Sequence, residues 1–320
     1  MIIEDFMPKI GDSSIREKLA ACLRSDPKTL PSMFFYDHHG SELYEKITKL
    51  EEYYSSKIEI PLLRSTAQKL KQELEESDLV ELGSGDCSKI SVFLDEVPRE
   101  IRQTIVYYPV DVCKDSIEKS ACNLQDKYPE MGIHGITADF LEHIEKIPGK
   151  RKRFFCFFGS TNGNLTEEKA IEFMADLGKV MNENDRLLLG VDMVKDIGII
   201  EKAYNDSQGI TAEFNKNILK VANDHLETDF DPEEFEHVAF FNREYSRIEM
   251  HLKAKTDQEV ASPILNEKII FKKGEMIHTE NSHKYTVDGI KKMAEAAGLS
   301  VENIFSDDKK WFSLVEMVKR

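Results

Sequence analysis

Several common signatures are missing from this 320-residue sequence, and each absence removes a class of protein. No apolar run approaches the roughly 20 residues needed to span a bilayer, so no transmembrane helix is expected. The opening Met1-Ile2-Ile3 is too short for the hydrophobic core of a secretory signal. The five cysteines, Cys22, Cys87, Cys113, Cys122 and Cys156, are odd in number and lack CxxC spacing, and no Cys or His pair has finger-like spacing. Neither a disulfide framework nor a metal site is therefore expected, and the compartment reads as reducing and cytoplasmic. Positive charge is in deficit: 43 Lys and Arg stand against 59 Asp and Glu, a formal net charge of -16. A surface of that sign repels phosphate backbones, so no nucleic-acid partner is expected. The short basic run Lys150-Arg151-Lys152-Arg153 reads as a solvated turn before a strand. There is no GKS/T string for a phosphate-cradling P-loop, and no internal repeat or low-complexity segment.

What is present is an ordinary globular composition, 41% hydrophobic and 32% charged, in a chain long enough for one large or two moderate domains. Residues 12 to 75 read as helices: Ile15, Leu19, Ala20 and Leu23 share one face, and further helices cover 41–50 and 56–74. The register then changes. Short apolar runs at 78–82, 104–110, 135–139, 154–158 and 185–191 alternate with helical patterns at 88–97, 114–127 and 167–181. Strands alternating with helices imply an α/β domain with a doubly wound, mostly parallel sheet. Such sheets bind ligands at the carboxyl ends of their strands, so the residues just after each run are the first candidates for chemistry.

After Asp192 the alternation stops. Residues 197–236 read as helical, 238–253 and 267–276 as antiparallel strands, 287–297 as a helix, and 300–305 with 312–318 as a closing strand pair. The expected division is 61–196 plus 286–320 for the α/β domain. A second α+β lobe, built from 1–60 plus 197–285, would cover the strand ends.

Glu81-Leu82-Gly83-Ser84-Gly85 lies between a strand and a helix, where glycines let the backbone turn tightly and approach a ligand. The pattern is not GxGxxG, because Ser88 occupies the third glycine position. A short acidic-residue–xGxG loop is what Rossmann-like methyltransferases show. Asp111 ends the next strand, where a carboxylate can accept both ribose hydroxyls. A nicotinamide enzyme and a bare structural turn are the alternatives. Asp139 could accept from an adenine amine with Phe140 packed nearby, or the pair could be a helix cap and a core aromatic. Lys89, one turn into the first helix, could meet a cofactor carboxylate or be an ordinary surface lysine.

Less common strings then follow in a fixed order: Phe35-Tyr36-Asp37 with Gly40-Ser41-Glu42-Leu43-Tyr44, Glu52-Tyr53-Tyr54, the glycine loop, and Gly159-Ser160-Thr161-Asn162-Gly163-Asn164-Leu165. Ala203-Tyr204-Asn205-Asp206, Thr211-Ala212-Glu213-Phe214-Asn215, Arg247-Ile248-Glu249-Met250 and Thr279-Glu280-Asn281-Ser282 complete the set. From about residue 10 onward the chain resembles the L-histidine Nα-methyltransferases of ergothioneine biosynthesis. His38-His39 departs from the acidic/basic pair usual in that family, and Tyr44 stands where relatives often carry phenylalanine.

The resemblance implies S-adenosylmethionine as methyl donor and three successive transfers giving hercynine. It implies cofactor contacts from Tyr44, Gly83, Ser84, Gly85, Lys89, Asp111, Asp139 and Phe140. Asn164 and Tyr204 would hold the substrate carboxylate, Glu280 and Ser282 the imidazole, and Met250 would line the side-chain pocket. Tyr53 would sit beside the α-amine and Tyr36 near the transfer centre. A monomer acting on a small amino acid is expected. Another amino acid, such as a tryptophan derivative or tyrosine, is the first alternative; a nicotinamide oxidoreductase and a non-catalytic binding protein are the others.

Chemically, the tyrosines Tyr36, Tyr44, Tyr53 and Tyr54 could hold a methylated cation by cation–π attraction, or could simply pack a helical lobe. Glu280 and Ser282, two apart on one strand, share a face and could reach one ring; on their own, such residues are as well read as solvent-facing.

Overall fold

The computed structural model describes residues 2–7, 13–149 and 151–320. Residues 1 and 8–12 of the expected smaller lobe, and Lys150 of the basic run, lie outside them. The chain runs β1 (Ile2–Asp5), α1 (Ser13–Arg24), β2 (Lys28–Thr29), α2 (His38–Ile47), α3 (Tyr54–Leu70), β3 (Ser77–Leu82), α4 (Ser88–Asp95), α5 (Arg99–Arg102), β4 (Val106–Asp111), α6 (Lys114–Lys127), β5 (Gly132–Thr137), α7 (Phe140–His143), β6 (Lys152–Phe157), α8 (Glu167–Val180) and β7 (Arg186–Asp192). It continues through α9 (Ile197–Tyr204), α10 (Ile210–Leu226), β8 (Phe235–Asn242), β9 (Arg247–Ala254), β10 (Gln258–Ser262), β11 (Glu267–Phe271), β12 (Met276–His283), α11 (Val287–Ala296), β13 (Leu299–Ser306) and β14 (Phe312–Lys319).

Two units form. The larger holds Met1–Met7, Tyr54–Lys195 and His283–Arg320; the smaller holds Pro8–Tyr53 and Asp196–Ser282. The expected boundary at residue 60 thus moves to Tyr53/Tyr54, because α3 belongs whole to the larger unit. The first residues move as well, because β1 pairs in parallel with β5 at the sheet edge.

In the larger unit eight strands lie in the order β1-β5-β4-β3-β6-β7-β14-β13. The pairs from β1 to β7 are parallel, while β14 runs antiparallel to both β7 and β13. Alternate residues of each strand enter two different cores. Val80, Leu82, Phe155, Phe157, Leu187 and Leu189 pack with residues of α8 and α11. Leu79, Phe154, Cys156 and Leu188 pack with residues of α3 and α4. Burial on both faces explains why these strands read as continuous apolar runs. The turn expected at the basic run is corrected here: Lys152 and Arg153 open β6, and Arg153 is buried on Asp185 at 2.7 Å. A guanidinium taken out of water is tolerated only with such a partner.

The smaller unit packs α1, α2 and α10 against a sheet ordered β2-β12-β9-β8, beside the β10–β11 pair. The sequence run 238–253 is two strands rather than one. It folds back at Arg243–Ser246, where Ser246 adopts a left-handed φ of 49°. The run 267–276 likewise stops at Phe271, and β12 starts afresh at Met276. Among the described residues, no helix is long and apolar enough to cross a membrane.

Candidate active site

In the larger unit the ligand-binding edge is built at the ends of β3, β4, β5 and β6. β3 lies between β4 and β6, so the chain's connections leave it to opposite sides, and a crevice opens where they part. Gly83 and Gly85 follow β3 with φ of 70° and 52°, a left-handed backbone that favours glycine. The amides of Gly83 and Ser84 both donate to the Val110 carbonyl, at 2.8 and 3.1 Å. Asp111 fixes the loop from the next strand: Oδ2 accepts from the Gly85 amide at 2.8 Å and Oδ1 from the Cys113 amide at 3.0 Å. Each oxygen keeps a second lone pair for a ligand hydroxyl. Burial raises the Asp111 carboxyl, and these amide donors pull it back down.

Phe140 reaches the loop from β5's side; a Cβ built on Gly83 would lie 3.8 Å from its ring. Its own ring packs on Phe157 and Phe173, and Asp139 caps α7 through the Leu141 amide at 3.0 Å. Cap and core aromatic are therefore both real, and Phe140 sits beside the loop. Two features fit a bound cofactor: Ser84 Oγ is buried without a partner, and a Cβ on Gly85 would meet open space. Lys89 is not a loose surface lysine. Its ammonium pairs with the fully buried Glu59 at 2.9 Å, and Glu59 also accepts the Gly159 amide at 2.7 Å. Glu59, on α3, is a residue at the end of β6 only through folding, and the sequence reading missed it; nothing in a helix 100 positions upstream of Gly159 signals it.

The Gly159–Leu165 string forms a tight turn after β6. Gly159 and Ser160 are both left-handed, and a Cβ on Gly163 would stand 3.1 Å from the His283 backbone. Asn162 Nδ2 donates to the Tyr285 hydroxyl at 3.0 Å, and Ser160 Oγ accepts from the Asp192 amide at 2.9 Å. Asn164 ends this turn, partly exposed. Tyr54 leaves the expected tyrosine group: it opens α3, is buried, and donates to Asp192 Oδ2 at 2.5 Å. Asp192 also carries Lys284 at 3.1 Å and Lys195, and burial lowers the Lys195 ammonium to about 8 against the attraction of that carboxylate.

In the smaller unit, Tyr36, Tyr44 and Tyr53 do form a group. The Tyr36 and Tyr44 rings are 5.7 Å apart at 74°, and those of Tyr44 and Tyr53 are 6.5 Å apart at 81°. Phe214 of α10 completes it, 5.7 Å from Tyr36 and 6.1 Å from Tyr44. Asp37 ties the pieces together, accepting the Gly40 amide at 2.6 Å and Asn217 Nδ2 at 2.8 Å. Gly40 is required because a Cβ there would fall 1.6 Å from the Phe35 carbonyl oxygen. Burial, then the neighbouring phenols of Tyr44 and Tyr204, push the Tyr53 hydroxyl well above the usual phenol range. It is a neutral hydrogen-bonding group, not a base.

Tyr204 ends α9 and donates to Ser282 Oγ on β12 at 2.6 Å. Glu280 lies two residues earlier on that strand, nearly buried. Met250, on the neighbouring β9, is fully in the core. Asn215 explains the Thr211–Asn215 string: its Nδ2 donates to the His251 carbonyl at 3.0 Å, and its Oδ1 lies 2.7 Å from Thr279 Oγ1. Among the described residues, no group of three or more His, Cys, Asp or Glu is placed to hold a metal ion.

A glycine loop after a central strand, an acidic residue closing the next one, and a mostly parallel eight-stranded sheet with antiparallel β14 set between β7 and β13 define a Rossmann-like methyltransferase. The sequence matches the family described as histidine-specific methyltransferase, SAM-dependent, over residues 15–319. The chain belongs to that family. It is 38% identical over 301 residues to a histidine N-alpha-methyltransferase of Mycolicibacterium smegmatis, covering 94% of each. It is 31% identical to an ergothioneine biosynthesis protein 1 of Neurospora crassa, over 63% of this chain and 23% of that protein. A 4-dimethylallyltryptophan N-methyltransferase of Arthroderma benhamiae is 26% identical, over 90% and 88%. A solved S-adenosylmethionine-dependent methyltransferase of Clostridium acetobutylicum aligns over 81% of this chain and 91% of that one, with 9% identity and a TM-score of 0.46.

Proposed function

We propose that the protein methylates the α-amino group of L-histidine from S-adenosylmethionine, three times in succession, to give hercynine. The observation that carries the histidine reading is the Tyr204–Ser282 hydrogen bond, two residues along β12 from Glu280. It joins groups from two distant strings into a polar patch that suits an amino acid with an imidazole side chain.

S-adenosylmethionine supplies an electrophilic methyl on a sulfonium, so the protein has mainly to align the partners. Gly83, Ser84, Gly85, Lys89, Asp111, Asp139 and Phe140 are assigned to its binding, Asp111 to the ribose hydroxyls; Tyr44 keeps its place in that assignment. The α-ammonium must lose a proton before its nitrogen lone pair can form the new bond to carbon. Tyr53 stays neutral and orients the amine by hydrogen bonding, and the proton leaves to water. The new N–C bond forms as the S–C bond breaks, with the electron pair returning to sulfur. The rings of Tyr36, Tyr44 and Tyr53 then face a more substituted cation and retain it for the next round. Asn164 and Tyr204 are assigned to the carboxylate, Glu280 and Ser282 to the imidazole, and Met250 to the pocket wall.

This reading has the enzyme working as a cytoplasmic monomer, which sedimentation tests. The function is tested by mass spectrometry of an amino-acid panel incubated with enzyme and S-adenosylmethionine. Mass gains of one, two and three methyl groups on histidine are expected. Modification of tryptophan or tyrosine in preference would overturn the substrate.

A further inference from the structure

β12 alternates regularly only as far as Thr279. Ile277 packs in the same core as Ile248 and Met250, and Thr279 reaches Asn215 of α10 on that side. His278, between them, points the other way. Its ring stands 5.1 Å from His251, which neighbours Met250 on β9 and stacks on Phe240 at 5.4 Å. A strand's period of two would then send Glu280 and Ser282 to the His278 side and Asn281 to the core side.

The contacts break that pattern. His278 Nε2 donates to Asn281 Oδ1 at 2.9 Å, so residues three apart share a side. Ser282 meets Tyr204, which packs on the core of Met250. A regular strand cannot do this. One residue of slip between Thr279 and Asn281, flanking Glu280, would account for both contacts; such irregularities re-aim side chains.

We propose that His278 and Asn281 are positioning residues for substrate choice, their hydrogen bond holding the slip that turns Glu280 to the side of Ser282 and Tyr204. The proposal rests on the reading that Glu280 takes the imidazole N–H of histidine. Neither residue touches substrate; both act through the backbone that carries Glu280.

The test uses the full-length chain with His278→Leu, His278→Gln and Asn281→Ala. His278→Leu and Asn281→Ala should each lower kcat/KM for histidine by about tenfold or more, chiefly through KM, since small misplacements of a contact are costly. The histidine-to-tryptophan ratio should fall, as in Glu280→Ala, while the affinity for S-adenosylhomocysteine stays within about twofold of wild type. His278→Gln, whose amide keeps a donor, should recover most of the loss. If His278→Leu does not fold, Asn281→Ala carries the same comparison. Folded, cofactor-binding variants with wild-type histidine kinetics would overturn the proposal. A crystal structure of the Asn281→Ala protein decides independently of activity. Glu280 should swing toward His251; a retained slip overturns the proposal even if wild type proves inactive on histidine, a result that faults only the functional reading.

Discussion

Tyr204 and Ser282 stand hydroxyl to hydroxyl at 2.6 Å, joining the end of α9 to β12. If Tyr204 takes the substrate carboxylate, its hydroxyl must turn from Ser282 to the ligand when histidine binds. Tyr204→Phe then removes a hydrogen bond to a charged group, about 1.5 to 3 kcal/mol of binding. Histidine should lose a corresponding factor in kcat/KM, whereas histamine, which has no carboxylate, should be a poor substrate in both proteins and barely change. Equal losses for the two amines would remove Tyr204 from carboxylate binding.

Asp111 holds two loop amides as well as its proposed ribose contacts. Asp111→Ala should weaken binding of S-adenosylhomocysteine by about 1.5 to 3 kcal/mol in calorimetry, the scale of a lost charge-assisted hydrogen bond. Tight binding of NAD, with none of S-adenosylmethionine, would contradict the cofactor assignment.

Replacing Glu280 by Ala removes an acceptor for imidazole N–H and opens space beside it. Histidine should lose transition-state stabilisation of about 1.5 to 3 kcal/mol. Tryptophan should gain relative to it, because an indole needs room more than a negative partner. The ratio of kcat/KM for the two amino acids, wild type against variant, measures this; an unchanged ratio means that Glu280 does not read the side chain.

Glu81 gives a pH dependence. Burial raises its carboxyl from 4.5 to about 8, although the Tyr107 hydroxyl, donating at 2.5 Å, and Lys89 pull the other way. The folded protein therefore holds this proton more tightly than the unfolded chain does. The stabilisation is complete below the unfolded value and is lost as pH rises through the folded one. Between about pH 5 and pH 8 the Tm of wild type should fall more steeply than that of Glu81→Gln, whose side chain does not titrate. Parallel Tm profiles for the two proteins would refute it.

The sequence is most legible where function depends on position along a strand. Gly83, Gly85 and Asp111 are findable because parallel strands present their ends to ligands. Glu280 and Ser282 were readable as strand neighbours. The proposed slip beside them was not, since it is betrayed only by which side-chain contacts form: His278 with Asn281 on β12, Thr279 with Asn215 of α10 and Ser282 with Tyr204 of α9. Tyr54 looked like a fourth member of the tyrosine group because it follows Tyr53. The start of α3 turns its hydroxyl to Asp192, 138 residues on. Glu59 and β1 escaped for the same reason: their partners, Gly159 and β5, are known only once the chain has folded.

The position of β14 has a consequence for biosynthesis. This strand lies between β7 and β13, yet it is made after both. While the ribosome is still producing residues 287–311, the parallel strands β3 to β7 can already be paired, but β7 presents one whole hydrogen-bonding edge without its partner strand. The strand that carries this edge is apolar on both faces, with Leu187, Leu188, Leu189 and Val191 all fully buried in the finished protein. Nascent chains in this state are open to strand pairing with one another. Chaperone demand should therefore rise once β7 has been made and end abruptly when Phe312–Lys319 slots into place.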